Sequence, residues 1–477
     1  MYLGLDLGLS SLKLCLIDDG GKMRALHQRP IETLTPNPLQ AEQNPNDWWR
    51  AIDDALTSLK SELGDSMQAI QALSITAGAH IAVLCDENAK PLRPAILWSD
   101  QRAAPLVTDL GPLPLAETGN QPSATWSLAH LLWLRKHEPD TWQQLDHISF
   151  AKDWLRGQLT GDRLTDPGDG CGSMLMRYQT RDWSPQLLDL LGLSHTQLPQ
   201  IVPPETEAGA LKPDLVRRWG LPQNVKIFTG SIDTSIEWLC WGQPQAGQTT
   251  LKLASAGVVS RVTNDLKPMP PVSLYPHLNA AQAYYAAGMN QCMTALAWLS
   301  DRFFSTPQAL YDGAARSSAG AGGVQFYPYL NGERAPIWRA DLTASLVNMT
   351  RASHVGDIAR AAIEGLGYCF REIYDSLPRA GEDTATQPIG LLGGGSGQPL
   401  LCQITADILG LPVKTRPERD AAYGAAIFAA AANGFEIAPP THAITIFEPH
   451  AATRALYDTA YRYYIDRRAS LYPNQSD

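Results

Sequence analysis

At 477 residues the chain is too long for a single ordinary hydrophobic core, so two domains of roughly 200 residues or more are expected. Its composition is that of a globular protein, 44% hydrophobic and 18% charged, with no low-complexity tract. A formal net charge of −10 provides no basic footprint for nucleic acid or an anionic membrane. A substrate that brings its own phosphates with Mg²⁺ stays open.

Seven cysteines (Cys15, Cys85, Cys171, Cys240, Cys292, Cys369 and Cys402) are widely scattered, with no C-x-x-C. That argues for a reducing compartment and against a disulfide framework or a zinc site. The N-terminus lacks a basic region, and Asp6 falls where a signal peptide would be apolar. No run approaches the ~20 apolar residues of a membrane span. A soluble, cytoplasmic protein is expected.

The chain opens with a strand, Tyr2 to Leu7, interrupted by Asp6. Gly8 to Ser11 is a small-residue turn, and Leu12, Leu14 and Leu16 then alternate with Lys13 and Cys15 at the period of a second strand. Asp19-Gly20 signals a further hairpin turn. Two or three antiparallel strands follow, with a carboxylate and an N–H-rich turn at one tip. Such a turn suits phosphate oxygens, and Asp6 beside it could hold hydrated Mg²⁺. An ordinary hairpin with a buried or capping Asp explains the same residues.

Asn44-Pro45 opens a helix whose buried stripe is Trp48, Ala51, Ile52, Ala55, Leu56 and Leu59. Strands are expected over 70–75, 80–85 and 95–98. His80 follows the small segment Thr76 to Ala79 at a strand end, where open α/β sheets gather ligands. A core or surface histidine is the competing reading. Trp98, Asp100 and Arg102 could bind a polyol or form a surface ion pair beside a packed ring. Helices are expected over 124–136 and 154–160, the latter ending at Gly161, and Asp166 to Gly170 reads as a loop.

The strand 225–228 runs into Thr229 to Thr234, so Asp233 stands where a strand gives way to a helix. A carboxylate there can cap the helix or act as a general base toward a hydroxyl. Gly242 to Gly247, with Pro244, is the expected boundary between an N-terminal domain of residues 1–242 and a C-terminal domain of residues 243–477. The opening pattern then repeats: strand 249–253, small turn Ala254 to Gly257, strand 258–262. This suggests a duplicated architecture with one phosphate loop from each half. Helix 357–377 carries Gly365 and Gly367, which imply close packing against a neighbour. Strand 389–392 enters Gly393 to Gly397, and helix 399–409 stops at Gly410. Strand, glycine loop and helix suit nucleotide phosphate or ribose, although neither G-x-x-x-x-G-K-[ST] nor G-x-G-x-x-G occurs. Helices 421–432 and 453–470 close the chain.

These segments together resemble the FGGY carbohydrate kinases, and within that family the xylulokinase branch, over nearly the whole chain. LGLDLGLSSLK resembles the family's first phosphate motif. QAEQNPNDWW, RPAILWSDQR, AKDWLRGQLTGDRLTD and YLNGERAP resemble xylulokinase-type segments. SLVNMTRASHVGDIARAAIEGLGY resembles the second family signature, and LLGGGSGQPLLCQITADILGLPV with AAYGAAIFAA resembles the adenosine motif.

The resemblance implies an α/β, actin-like, ribonuclease-H-like fold of two domains closing over a cleft. It implies ATP-dependent phosphorylation of a ketopentose, D-xylulose first, and a homodimer. Asp233 would be the general base and Asp6 would place Mg²⁺. Gly8, Ser10, Ser11 and Lys13, with Ser255, Ala256 and Gly257, would surround the β- and γ-phosphates of ATP. Gly394, Gly395 and Ser396 would lie on the adenosine side. His80, Ala79, Asp100, Asp233 and Thr234 would line the sugar.

There are departures from the family pattern. Leu9 and Ser11 stand where Thr and Gly are usual, and Ala254 and Ala256 where Gly and Ser are usual. Each lost hydroxyl donor toward phosphate is worth about 1.5–3 kcal/mol if no water compensates. Ala77-Gly78-Ala79-His80-Ile81 replaces Gly-Gln-Met-His-Gly, Thr234 replaces Asn, His130 replaces the first-signature Lys and Asn348 the second-signature Gly. The small residues beside His80 reshape the sugar pocket and leave ribulose or a related polyol as alternatives. The altered phosphate loops leave a non-catalytic sugar or nucleotide sensor as the contrasting reading.

Overall fold

The computed structural model describes residues 1–242, 245–339, 341–378, 387–416, 420–437 and 444–473. Residue 243 and Pro244, at the expected domain boundary, lie outside them. The chain forms two compact units. The first is Met1–Pro244, Asp265–Ala283 and Arg419–Pro440; the second is Gln245–Asn264, Tyr284–Glu418 and Thr441–Asp477. Two segments after residue 244 belong to the first unit.

The first unit is built on a six-stranded sheet. Strands β1 (Tyr2–Leu7), β2 (Ser11–Ile17) and β3 (Met23–Pro30) form an antiparallel meander, as the alternation of Leu12, Leu14 and Leu16 predicts. The turn between β2 and β3 is tied by Asp18, whose carboxylate accepts the N–H groups of Gly20 and Lys22. Helix α1 (Pro45–Leu63) starts where Asn44 accepts the N–H of Asn46, and its predicted stripe from Trp48 to Leu59 is buried. Strand β4 (Ala72–Ala77) pairs parallel with β1, and every residue of β4 is buried. Helices α2 (Ser127–His137), α3 (Ala151–Thr160) and α4 (Pro167–Gly172) follow. Strands β5 (Glu207–Ala210) and β6 (Lys226–Phe228) complete the order β5-β6-β4-β1-β2-β3, with β6 parallel to β4.

Helix α4 corrects one expectation. Asp166 to Gly170 reads as a loop from its Asp, Pro and Gly content, yet Asp166 is the N-cap and Pro167 the first helical residue. Capping and the fixed φ of proline start a helix there, and burial among other elements sustains its glycines.

The alanine-rich helix Ala421–Ala432 packs on β1 within this unit. Its small side chains bring backbone against backbone: a Cβ on Gly4 would lie 2.0 Å from the Ala422 carbonyl oxygen. No residue other than glycine fits at that position of the strand.

The second unit repeats the scheme. Strand β7 (Thr249–Leu253) pairs antiparallel with β8 (Gly257–Thr263) and parallel with β9 (Ile389–Leu392). Strands β10 (Val413–Thr415) and β11 (Thr445–Phe447) extend this sheet in the order β8-β7-β9-β10-β11. Helix α5 (Val355–Ser376) is buried along most of its length. A Cβ on Gly365 would lie 2.2 Å from the Phe326 carbonyl oxygen, and one on Gly367 2.6 Å from Ile408 Cδ1. The close packing expected of these two glycines is thus present. Helix α6 (Pro399–Leu409) ends at Gly410, in the left-handed conformation, as expected. Among the described residues, no helix is long and apolar enough to cross a membrane.

Candidate active site

In the first unit the chemistry gathers at the ends of three neighbouring parallel strands. Asp6 lies near the end of β1, in register with Thr76 of β4 and Lys13 of β2. Strand β4 runs on into Gly78, Ala79 and His80. Strand β6 runs on through Gly230 and Ser231 to Asp233. The two extensions are joined where the Thr76 hydroxyl donates to the Ser231 carbonyl oxygen at 2.7 Å. Gly230 holds φ at +72°, and a Cβ there would lie 2.6 Å from the Ile75 carbonyl oxygen, so the second extension lies directly on β4. Strand ends of open α/β sheets are where ligands bind, because backbone there turns away from the ladder and side chains become available.

Asp233 is the first residue of a short helix, Asp233–Glu237, and is partly exposed. Its Oδ1 accepts both the backbone N–H of Thr234 at 2.6 Å and the Thr234 hydroxyl at 3.1 Å. Thr234 thus orients the carboxylate. Ala79 is half-buried beside His80.

His80 is buried, with φ at +55°. Its ring stacks on Trp126 at 5.4 Å with planes 1° apart, and Trp126 stacks in turn on Tyr275. Burial and the neighbouring His130 push the His80 pKa down to about 3, while the charge of Asp233 acts in the opposite direction. The imidazole is neutral at physiological pH. Its Nδ1 has no hydrogen-bond partner among the described residues. A neutral ring with an open nitrogen is equipped to exchange a hydrogen bond with a hydroxyl.

Asp100 is held by protein groups. It is fully buried, and its carboxylate accepts the N–H of Ala41 at 2.7 Å, the backbone N–H of Arg102 at 2.9 Å and the Arg102 guanidinium. Arg102 in turn lies over the Trp133 ring at 5.0 Å, not over Trp98. The Asp100–Arg102 ion pair, expected at the surface, is instead buried.

A charge network invisible to pattern reading lies behind these strand ends. Lys152 is fully buried at the start of α3, within 2.6 Å of Asp153, 2.9 Å of Asp166 and 3.2 Å of Asp169. Burial opposes its charge, but the three carboxylates outweigh burial and hold its pKa above the ordinary lysine value. Arg156, also buried, pairs with Asp153 and Asp162 and donates to the Thr229 carbonyl oxygen at 2.8 Å. Burial pushes the Asp169 carboxyl up to about 7 against the pull of Lys152. The sequence hint is a Lys-Asp pair at the start of a helix that also carries Arg156, with Asp162, Asp166 and Asp169 shortly after.

The turn between β1 and β2 is closed by the Gly8 N–H donating to the Ser11 carbonyl oxygen at 3.0 Å. Ser10 is exposed. Ser11 is buried, and its hydroxyl accepts from Gln28 at 2.9 Å. Leu9 packs against the core while its carbonyl oxygen accepts from Gln43. The Lys13 ammonium lies 2.6 Å from Asp420. Burial opposes the Lys13 charge, but Asp420, Asp6 and Glu237 together raise its pKa above the ordinary value.

In the second unit the corresponding strand ends meet as well. Ser255 is exposed in the turn between β7 and β8, and its carbonyl oxygen accepts the Thr294 hydroxyl at 2.8 Å. Ala256 is half-buried, and Gly257 is packed so tightly that a Cβ would lie 2.7 Å from Met289. Gly393 has φ at +80°, and its missing Cβ would lie 2.7 Å from the Leu253 carbonyl oxygen, so the glycine loop lies on the end of β7. Gly394 has open space around it, whereas Gly395 is packed on Met293 and Leu253. The Ser396 hydroxyl donates to the Gly393 carbonyl oxygen at 2.7 Å and closes the loop. Gly394 is therefore where backbone is most accessible to a ligand.

No cluster of three metal-ligating side chains occurs among the described residues. A bound Mg²⁺ would take its other ligands from water and phosphate oxygens, which suits that ion.

The model for the N-terminal domain of the FGGY family of carbohydrate kinases matches residues 1–240, and that for the C-terminal domain matches residues 247–433. The chain is 32% identical to a xylulose kinase of Escherichia coli (strain K12) over 434 residues, covering 89% of each chain. It is 31% identical to a xylulose kinase of Klebsiella pneumoniae over 426 residues, 88% of this chain and 87% of that one. A solved structure of a xyloylose kinase from Brucella ovis superposes with a TM-score of 0.92 at 28% identity, over 99% of both chains. The actin-like two-domain fold accounts for the repeated sheet, and both halves of the chain match. The chain belongs to the FGGY family of carbohydrate kinases, and its chemistry is the phosphorylation of a sugar by ATP.

Proposed function

We propose that the chain phosphorylates the terminal hydroxyl of a ketopentose, D-xylulose first, with Asp233 as the general base. The observation that carries this reading is the gathering of Asp6, His80 and Asp233 at adjacent parallel strand ends. The names of the relatives favour xylulose over other sugars.

In this mechanism Asp233, oriented by Thr234, accepts the proton of the attacking hydroxyl. Neutral His80 exchanges a hydrogen bond with another sugar hydroxyl, and Ala79 leaves room beside it. Asp100 acts from behind by fixing the segment around Arg102. Backbone N–H groups of Gly8 to Ser11 and of Ser255 to Gly257 hold phosphate oxygens, with Lys13 adding charge. Gly394 to Ser396 offer backbone to the nucleoside. Asp6 would hold Mg²⁺ through water, and the ion would neutralise charge on the phosphates. Phosphoryl transfer asks for positioning and charge neutralisation more than covalent chemistry, so this set of groups suffices. The reading also carries a homodimer and a cytoplasmic location.

The test is ADP release with Mg-ATP across D-xylulose, D-ribulose, their L-forms, glycerol and no sugar. D-xylulose should give the highest kcat/KM. Preference for another sugar would reassign specificity to Gly78, Ala79 and Thr234. Bound ATP without sugar-dependent turnover would favour the sensor reading, for which the engaged Ser11 hydroxyl and the Lys13–Asp420 pair speak.

A further inference from the structure

We propose that Asp169 is a positioning residue for sugar binding, acting through the backbone of His80 and coupled through Lys152 to the turn that carries Asp233. The inference rests on the reading of His80 as a sugar-facing group.

The backbone N–H of His80 donates to Asp169 Oδ1 at 2.8 Å, and its carbonyl oxygen accepts the Ser127 hydroxyl at 2.5 Å. His80 holds φ at +55°, in the left-handed region that few residues other than glycine adopt, histidine being among those that do so more readily. Something must hold it there, and both backbone hydrogen bonds of this one residue go to side chains from other elements. Asp169 supplies the first from helix α4, at the position a sequence reading leaves as turn chemistry.

The same short helix touches the other strand end. Its N-cap, Asp166, accepts the Ser231 hydroxyl at 2.6 Å, two residues before Asp233. The two contacts need the two glycines at the ends of α4. A Cβ on Gly168 would lie 2.9 Å from Ser231 Oγ, and one on Gly172 would lie 2.9 Å from His80 Cδ2. Helix α4 is thus a wedge with one end on the base's turn and the other on the imidazole. Lys152 is the common cation: its ammonium lies within 3.2 Å of Asp169 and 2.9 Å of Asp166. A buried cation shared by two carboxylates fixes the distance between them, because moving either away leaves an uncompensated charge.

Two roles are separable by chemistry. If Asp169 works through the His80 N–H, an acceptor oxygen is what matters. If it serves only to neutralise Lys152, its charge is what matters.

The experiment compares Asp169→Ala, Asp169→Asn, Gly172→Ala and His80→Ala in the full-length enzyme. Sugar KM, ATP KM, kcat and thermal unfolding are measured for each, with the sugar preferred by the wild type. Asp169→Ala should raise sugar KM by about tenfold or more and leave ATP KM within about twofold, the loss of one buried hydrogen bond. Asp169→Asn, which keeps the acceptor, should recover most of that sugar affinity even if its unfolding temperature falls as far. Gly172→Ala, which displaces the ring without touching a charge, should also raise sugar KM. Equal sugar KM in Asp169→Ala and the wild type, with His80→Ala raised, overturns the positioning role and leaves the sugar site intact. Equal loss in Asp169→Ala and Asp169→Asn also overturns it, in favour of charge compensation. An unchanged sugar KM in His80→Ala removes the sugar-facing reading of His80 and the proposal with it.

Discussion

The Lys13 ammonium lies 2.6 Å from the carboxylate of Asp420, a residue 407 positions away in sequence. Asp420 is also the N-cap of the helix Ala421–Ala432, accepting the Tyr423 N–H. The pair therefore joins the second strand of the chain to a helix near its end. It sits beside the turn between β1 and β2, so in the proposed mechanism Lys13 answers both to Asp420 and to a nucleotide.

The partners are about a third exposed, so solvent screening keeps the stability contribution below about 1 kcal/mol. Lys13→Met should change thermal stability little and raise ATP KM by about tenfold. The Lys13 pKa is raised on folding, so its contribution is fully present below the free lysine pKa and is lost only as pH rises through the folded value. ATP KM should accordingly show no Lys13 titration between about pH 6 and 9. Unchanged ATP KM in Lys13→Met would remove it from the phosphate site.

Asp233→Ala should lower kcat by about two to four orders of magnitude, the usual share of a general base. ATP binding should stay near the wild-type level in isothermal titration calorimetry. Near-normal turnover would take the role of base away from Asp233.

Lys152→Met should be severe. It leaves Asp153, Asp166 and Asp169 buried without their common cation, and breaking such a pair costs about 3–5 kcal/mol. A large drop in unfolding midpoint or in soluble yield is expected. A variant as stable as the wild type would show that these carboxylates take up protons at no cost.

Gly4→Val should destabilise the first unit by overpacking. The nearest atoms to an added Cβ are backbone, at 2.0 Å and 2.4 Å, and cannot rotate away. Overpacking of this kind costs about 1–3 kcal/mol or more. Denaturant unfolding of the first unit is the measurement, with Gly20→Ala as the control, since a Cβ there would meet only the Asp18 carboxylate, at an ordinary 3.4 Å.

His80 should remain neutral well below the free histidine range. Its pKa is pushed down to about 3, so its contribution to stability is full above about pH 6.5 and is lost as pH falls toward the folded value. Imidazole carbon and nitrogen shifts followed by NMR should stay those of a neutral ring at pH 5. A titration midpoint near 6.5 would mean that the ring is solvated.

Local signals carried far in this chain. Alternating Leu12, Leu14 and Leu16 with a small turn before them determined the first hairpin, because side chains of a strand alternate between its two faces. Asn44-Pro45 determined where α1 starts, since cap and proline both act within one turn. The same holds for α6, ended by Gly410, and for the glycines of α5, whose only use in a helix interior is close approach. The positions of Asp6, His80 and Asp233 at strand ends were likewise legible, because strands and their ends are local features.

What followed only from tertiary structure was which distant groups share a charge. That the Asp100 carboxylate is shared by the Ala41 N–H and the Arg102 guanidinium is seen only in the folded chain. Asp166 to Gly170 reads as a loop until its cap and its burial make it α4. Lys152 lies just outside the helix expected over 154–160, and only the folded chain closes three carboxylates around it. The alanine-rich helix Ala421–Ala432 gives no sign that it belongs against Gly4. In each case the deciding quantity is the energy of burying a charge or a backbone group, and that depends on partners a one-dimensional pattern does not contain.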